Sequence, residues 1–360
     1  MGDALLAIGT RKGLFLARSR DGGAFEVDPV RFSTIGVHAV AVDTRGRPVP
    51  RLLAAIEYGH FGPSVMWSDD LGESWQEAPR PPVAFPEDTG ATLTRVWQLQ
   101  PSPSEPGVVW AGAEPGALFR SEDGGRTFTL CTALWNHPHR PEWQPGGGGL
   151  CLHTVLPHPA DPGSIAVAVS AAGFYRSTDG GARWEAANRG IRVAFRPEGD
   201  QYPEFGQCVH KVAAHPGRPD RLFLQHHFGV YRSDDFGANW TAIGGGLPSD
   251  FGFPIVVHPD RPDTVYVVPL ESDMDRVPVG HRHQVYRSDD AGESWNAFGE
   301  GLPPGPVHAS VLRDAMCASP AGIFFGTRDG EVYGSRDDGE TWTVIARHLP
   351  DVLTVRAAVL

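Results

Sequence analysis

Short runs of alternating or continuous apolar residues, each closing on an aromatic and then Ser, recur along the chain. Examples are GLFLARS, GALFRS, GFYRS, GVYRS, HQVYRS and GEVYGS. Period-two patterning over so few residues, opened by Gly, predicts strands. Directly after these runs comes one polar phrase: SDDLGESW (68–75), SEDGGRTF (121–128), STDGGARW (177–184), SDDFGANW (233–240), SDDAGESW (288–295) and SRDDGETW (335–342). A shortened seventh copy, SRDGGAF, occupies 19–25. The repeated Asp residues (Asp21, Asp70, Asp123, Asp179, Asp235, Asp290, Asp337) are spaced by 49, 53, 56, 56, 55 and 47 residues, about one four-stranded blade each.

Seven copies predict an all-β, seven-bladed β-propeller with four-stranded blades, one domain over 1–360. In the phrase, Ser and Asp side chains suit hydrogen bonds to turn amides, Gly accepts positive φ, and the closing Trp or Phe suits the core between blades. The first blade opens on what reads as a second strand, ALLAIGT, and lacks an innermost one. The C-terminal HLPDVLTVRAAVL supplies it, so 1–30 and 352–360 together are expected to build blade 1 and close the ring. Closure removes the sheet edges that invite aggregation.

Composition supports this picture, with 44 Gly, 33 Pro, 41% hydrophobic and 21% charged residues among 360. No stretch approaches the roughly 20 apolar residues of a membrane span, and the N-terminus lacks a basic segment followed by an apolar one. A soluble, cytoplasmic protein is expected, with no membrane partner. The formal net charge of −12 and the lack of a basic stripe exclude nucleic acid as a partner. Cys131, Cys151, Cys208 and Cys317 form no CxxC pair and are expected to be reduced.

The repeated phrases resemble those of the BNR or Asp-box superfamily, which includes sialidases, xyloglucanases and sortilin-type receptors. The resemblance covers essentially the whole chain. NHPHRPEWQPGGGGLCLHT (136–154) and PEFGQCVHK (203–211) are similar to a bacterial group labelled glycosyl hydrolase BNR repeat, or sialidase-like. It implies a hydrolase built on the propeller. True sialidase activity is not implied, because the N-terminal Arg-Ile-Pro phrase of that family is missing here and only Tyr58 and Tyr202 are placed to imitate its nucleophile.

Chemistry is expected on the face opposite the repeated phrases. Alignment of the repeats places His38, Trp97, His153, His210, Phe253, Asp314 and Ala357 in an inner ring, and Arg11, Glu57, Glu114, Ala171, His227, Glu271 and Arg328 in an outer one. Charged groups at equivalent positions contribute nothing to a purely structural ring, since unpaired charge is costly to bury. The long connections 135–149, 188–207 and 271–283 are expected to wall one side of the mouth. Gly146–Gly149 is not followed by a GK[ST] pattern, and is read as allowing close backbone approach.

Glu57, Glu114, Glu271 and Asp314 are the candidate general acids and bases, with His153 and His210 beside them. Arg11, Lys211, Arg313 and Arg328 suit an anionic substrate, and His227, Trp97, Trp143 and Glu204 complete the expected binding set. Cys151-Leu152-His153 and Cys208-Val209-His210 repeat one Cys-x-His pattern on neighbouring inner strands. Residues two apart on a strand share a face, so His153, His210 and His227 are candidate ligands for Zn, Fe or Cu. The resulting expectation is a hydrolase or acid/base lyase acting on a small anionic or sugar-like molecule. A non-catalytic ligand- or protein-binding propeller and a metal-dependent enzyme remain alternatives.

Overall fold

A computed structural model describes residues 2–360, so Met1 of the expected blade 1 lies outside the described residues. Seven four-stranded antiparallel sheets follow one another along the chain. Six are built from consecutive strands, with innermost strands Gly36–Asp43, Arg95–Pro101, Leu152–Pro157, Val209–His215, Gly252–Val257 and Met316–Ser319. Blade 1 joins Val352–Val359 to Ala4–Thr10, Gly13–Ser19 and Glu26–Val27. The terminal strands pair from Ala4 with Val359 to Gly9 with Thr354, as the missing inner strand required. Among the described residues no helix is long and apolar enough to cross a membrane.

The second strands are buried on both faces because a blade packs against a neighbour on each side. Ala4–Thr10 and Ile165–Val169 are buried at every position, so these segments read as continuous apolar runs rather than alternating ones. Large rings such as Phe119, Phe223, Phe324 and Tyr266 fill the space between sheets with no measurable exposure.

Six of the seven phrases form the same turn. The Ser hydroxyl donates to the Asp carboxylate (2.7 Å from Ser68 to Asp70 and from Ser288 to Asp290) and accepts from the Gly amide four residues on. The carboxylate in turn accepts the amide of the residue four beyond it, as in Ser294 to Asp290 at 2.9 Å. The shortened copy departs from this: Ser19 donates instead to the carbonyl of Gly23, and Arg336 from blade 7 donates to the Ser19 hydroxyl. With one residue fewer before its closing aromatic, this copy is tied down differently, the Asp21 amide donating to Asp3 Oδ1 at 3.0 Å.

Hydrogen bonds from Ser74, Arg183 and Ser294 draw Asp70, Asp179 and Asp290 down to about 2 from the ordinary 3.8. A depressed carboxylate stabilises the fold above its unfolded pKa and loses that contribution as pH falls through the folded one. The thermal midpoint is therefore expected to fall between pH 3.8 and about 2, by a modest amount because these carboxylates lie near solvent. Asn at these three positions should flatten that slope in melts across the window, and an unchanged slope would contradict the assignment.

A bulge at one height of the innermost strands positions the mouth. In blades 2 to 5 the pairing with the second strand slips by one residue at His38, Trp97, His153 and His210. Blade 6 slips across Phe253-Pro254 and blade 1 at Leu353. An extra residue leaves the ladder and re-aims its side chain, so the sequence expectation of an inner ring has a backbone cause. Blade 1 corrects one member: Ala357 lies in register opposite Leu6, and Leu353 takes the ring position. The last strand has no His-Pro turn to anchor its alignment, which let the reading slip by four residues.

A candidate anion-binding mouth

At the centre of the ring, on the face away from the repeated turns, lies a cavity of about 480 Å³. Bulge residues His38, Trp97, His210, Phe253 and Leu353 contribute to its wall, and the ends of second strands add Arg11, His227 and Arg328. Arg313 and Asp314 come from the segment before the inner strand of blade 7.

Other expected residues lie elsewhere. His153 is fully buried, with Nε2 bonded to the Val209 carbonyl at 2.9 Å and Nδ1 to the Thr154 hydroxyl at 3.0 Å. Both ring nitrogens are occupied, so it is a cross-blade strut rather than a ligand facing the mouth. Glu271 is exposed and accepts the Gly280 amide at 2.8 Å, pinning its own loop. Trp143 is 5% exposed and donates to the Tyr175 hydroxyl, packing the 135–149 segment onto blade 4. Glu204 lines a separate cleft with Arg189 and Tyr202, so the 188–207 connection does not wall the mouth. The other two long connections do, through Gly147, Gly148 and Arg276.

The glycine run behaves as expected. Gly146 and Gly149 bond each other through both backbone groups. A Cβ on Gly149, whose φ is +99°, would fall 2.1 Å from the Glu114 carboxylate, so only glycine permits the approach. The neighbouring NHPHRPEW phrase is structural: the Arg140 guanidinium stacks 3.4 Å from the Trp135 ring centroid and bonds the Gly116 carbonyl, while His139 stacks on Phe205.

Carboxylates near the mouth are all engaged. Glu57 accepts from Arg95 at 2.9 Å and from His38 Nε2 at 2.8 Å. Burial, aided by the Arg95 charge, lowers His38 to about 4, so at neutral pH it is a neutral Nε2–H donor. Burial also opposes ionisation of Glu57, but the Arg95 hydrogen bond and charge outweigh it and hold the group below the usual range. Glu114 accepts from Trp97 Nε1 at 2.9 Å, with Arg95 3.9 Å away. Asp314, 4% exposed, accepts from Lys211 at 2.7 Å and Arg356 at 2.6 Å through Oδ1, while Oδ2 has no partner. Those two cations outweigh the burial that opposes its ionisation. Lys211 thus supports the floor instead of reaching a ligand.

The cations are less evenly matched. Arg11 and Arg328 share Asp351, whereas Arg313 and Arg276 pair with no carboxylate among the described residues. Arg313 donates to the Cys151 sulfur at 3.3 Å and lies 5.4 Å from the Trp97 centroid. Arg276 bonds the Asp273 carbonyl and lies 5.6 Å from the Phe253 centroid. Five arginines therefore line the cavity against one carboxylate, Asp314. Sequence reading missed Arg95 and Arg276. Arg95 had a signal, since it stands two residues before the ring residue Trp97; Arg276, inside a loop with no counterpart in other repeats, had none.

Beside the arginines, Cys208, His210 and His227 bring their ligand-type atoms within 4.8 Å of one another. His210 Nδ1 donates to the Gly252 carbonyl at 2.6 Å, which leaves Nε2 as an acceptor 3.7 Å from the Cys208 sulfur. Burial drives His210 well below 6.5, so this ring is neutral. A ring nitrogen of His227, Nε2, lies 3.2 Å from Asp273 Oδ2.

No known family model matches the chain. In fold it is similar to an ancestral GH74 enzyme, with a TM-score of 0.58 and 17% identity over 89% of this chain and 38% of that one. It is likewise similar to YCF48 from Cyanidioschyzon merolae, with a TM-score of 0.56 and 13% identity over 86% and 84%. At these identities the likeness is one of architecture. In sequence, the chain is 27% identical over 241 residues to a probable oligoxyloglucan-reducing end-specific xyloglucanase of Neosartorya fischeri, covering 58% of this chain and 28% of that protein. It is 28% identical over 210 residues to a xyloglucanase of a Paenibacillus species, covering 49% and 20%. The chain thus spans less than a third of the length of these relatives.

Proposed function

We propose that the chain is a hydrolase-type propeller that takes a small, anionic, sugar-like molecule in its central mouth. The xyloglucanase likeness supports the sugar-like part and the hydrolytic class, as does the Asp-box resemblance of the repeats. The observation that carries the anionic part is the pair Arg313 and Arg276, poised over one cavity without carboxylate partners. Charge-assisted, bidentate bonds from guanidinium are the standard means of holding a carboxylate or sulfate.

In this reading Arg313 and Arg276 hold the anion, and Trp97 and Phe253 offer flat apolar surfaces to the ring. His227, oriented by Asp273, is the proton-transfer candidate within the cavity. The two-carboxylate route of common glycosidases needs one acid kept protonated. Glu57 and Asp314 are both shifted the other way, so neither serves as that acid near neutral pH.

Calorimetric titration with hexuronates and sulfated sugars, beside neutral gluco-oligosaccharides of equal size, tests the reading. Binding and turnover of the anionic set are expected, and a preference for the neutral set would overturn it. The engagement of every nearby carboxylate favours a second reading, a binding propeller without catalysis. Anion binding with no turnover of matching aryl glycosides would select that one.

A further inference from the structure

The geometry points to a transition-metal site, best suited to zinc, formed by Cys208, His210 and His227 in the wall of the mouth. Among the described residues these form the one cluster of His, Cys, Asp or Glu side chains whose ligand-type atoms converge. For a tetrahedral metal with bonds of about 2.3 Å to sulfur and about 2.0 Å to nitrogen, the two donors lie about 3.5 Å apart. The observed 3.7 Å from Cys208 Sγ to His210 Nε2 is near that spacing.

What surrounds the ligands is equally specific. A metal-bound imidazole characteristically spends its other nitrogen on a backbone carbonyl or a carboxylate, which fixes tautomer and ring orientation. His210 meets that condition through the Gly252 carbonyl at 2.6 Å, and the resulting tautomer leaves a lone pair directed at the Cys208 side. His227 has a carboxylate partner, Asp273, at 3.2 Å. The first Cys-x-His phrase supplies an internal comparison. Cys151 takes a hydrogen bond from Arg313, and His153 has both nitrogens occupied within the protein. The same phrase is closed in blade 4 and poised in blade 5.

All three residues also border the cavity. Three protein ligands with a fourth position toward an open space is the arrangement of reactive rather than purely structural zinc. One thiolate and two neutral imidazoles leave a dication with net positive charge, beside Arg313 and Arg276. The fourth ligand should therefore be an anionic oxygen, supplied by water as hydroxide or by the bound molecule. The three protein ligands stand independently of anion binding, and in the metal-bound protein His227 is a ligand and not the proton-transfer group; only the fourth ligand rests on the proposed function.

The test uses the full chain, purified without affinity tag or chelator. It is exposed to Zn²⁺ or Co²⁺, dialysed exhaustively and analysed for metal per chain. Near-stoichiometric uptake is expected. Cys208→Ala and His227→Ala should both fall to background while keeping the wild-type circular dichroism and melting curve, and Cys131→Ala should retain the metal. The cobalt form should show a near-ultraviolet sulfur-to-metal charge-transfer band that Cys208→Ala abolishes. Folded wild-type protein that takes up no metal above background would overturn the site, as would full uptake by Cys208→Ala. Arg313→Ala separates the two proposals, because it should keep its metal while losing anion affinity. If wild-type protein holds metal but ignores every anion, only the functional reading falls.

Discussion

Asp314→Ala should destabilise the protein by about 3–5 kcal/mol, the range for removing one partner of a buried ion pair. The carboxylate is 4% exposed and neutralises Lys211, itself 8% exposed, and Arg356. Deleting it strands the buried Lys211 in the floor of the mouth and takes from the half-buried Arg356 its carboxylate partner. Urea unfolding should show a lower midpoint with an unchanged slope, and Asp314→Asn should lose a comparable amount because the charge is lost while the volume stays. Adding Lys211→Met to Asp314→Asn should recover part of the loss, since one stranded charge is then gone. A single Asp314→Ala variant within about 0.5 kcal/mol of wild type, the usual range for surface changes, would mean that water reaches the cluster. The pH dependence has a definite sign. Lys211 and Arg356 keep the carboxyl below its ordinary range, so its contribution is complete above that range and is lost as the solution is acidified below it.

The second large effect is expected at Arg313. Its guanidinium faces the cavity and has no carboxylate partner among the described residues, so Arg313→Ala should leave folding nearly unchanged. Affinity for a bound anion should drop roughly 10- to 150-fold, the equivalent of one charged hydrogen bond at about 1.5–3 kcal/mol. Arg313→Lys should fall between, because it keeps the charge but not the planar fork. Titration calorimetry at two salt concentrations measures both the loss and the weaker salt dependence that accompanies it. Equal affinities for wild type and Arg313→Ala would place the anion elsewhere.

These two neighbours have opposite roles, and nothing in the chain order announces it. Both precede the short inner strand of blade 7, and both carry full charge. Asp314 turns toward Lys211 of blade 5 and Arg356 of blade 1, whereas Arg313 turns toward Cys151 of blade 4 and the Trp97 ring of blade 3. Partners 42 to 162 residues distant along the chain, and the Trp97 ring farther still, settle which charge is satisfied internally. Glu57 follows the same logic, since Arg95 reaches it from the adjoining blade, while Glu114 meets the same arginine across its own blade.

The sequence by itself determined the ring. Seven spaced copies of one phrase set the number of blades, the apolar runs set the strands, and the orphaned first blade required the last strand to return to Ala4–Thr10. Repeats are legible because every copy must satisfy the same local hydrogen bonds and bury the same kind of face. Several mouth residues were legible for the same reason, His38, Trp97, His210, Phe253, His227, Arg11 and Arg328 among them. Tertiary structure decided their chemistry. It turned His153 inward and assigned the aligned carboxylates to arginines, lysine and backbone amide. From an unrepeated loop it brought in Arg276, and in blade 1 it put Leu353 where Ala357 was expected. The physical reason is that strand periodicity fixes which side of a sheet a residue occupies, while bulges and partners from other blades fix whether its charge stays available.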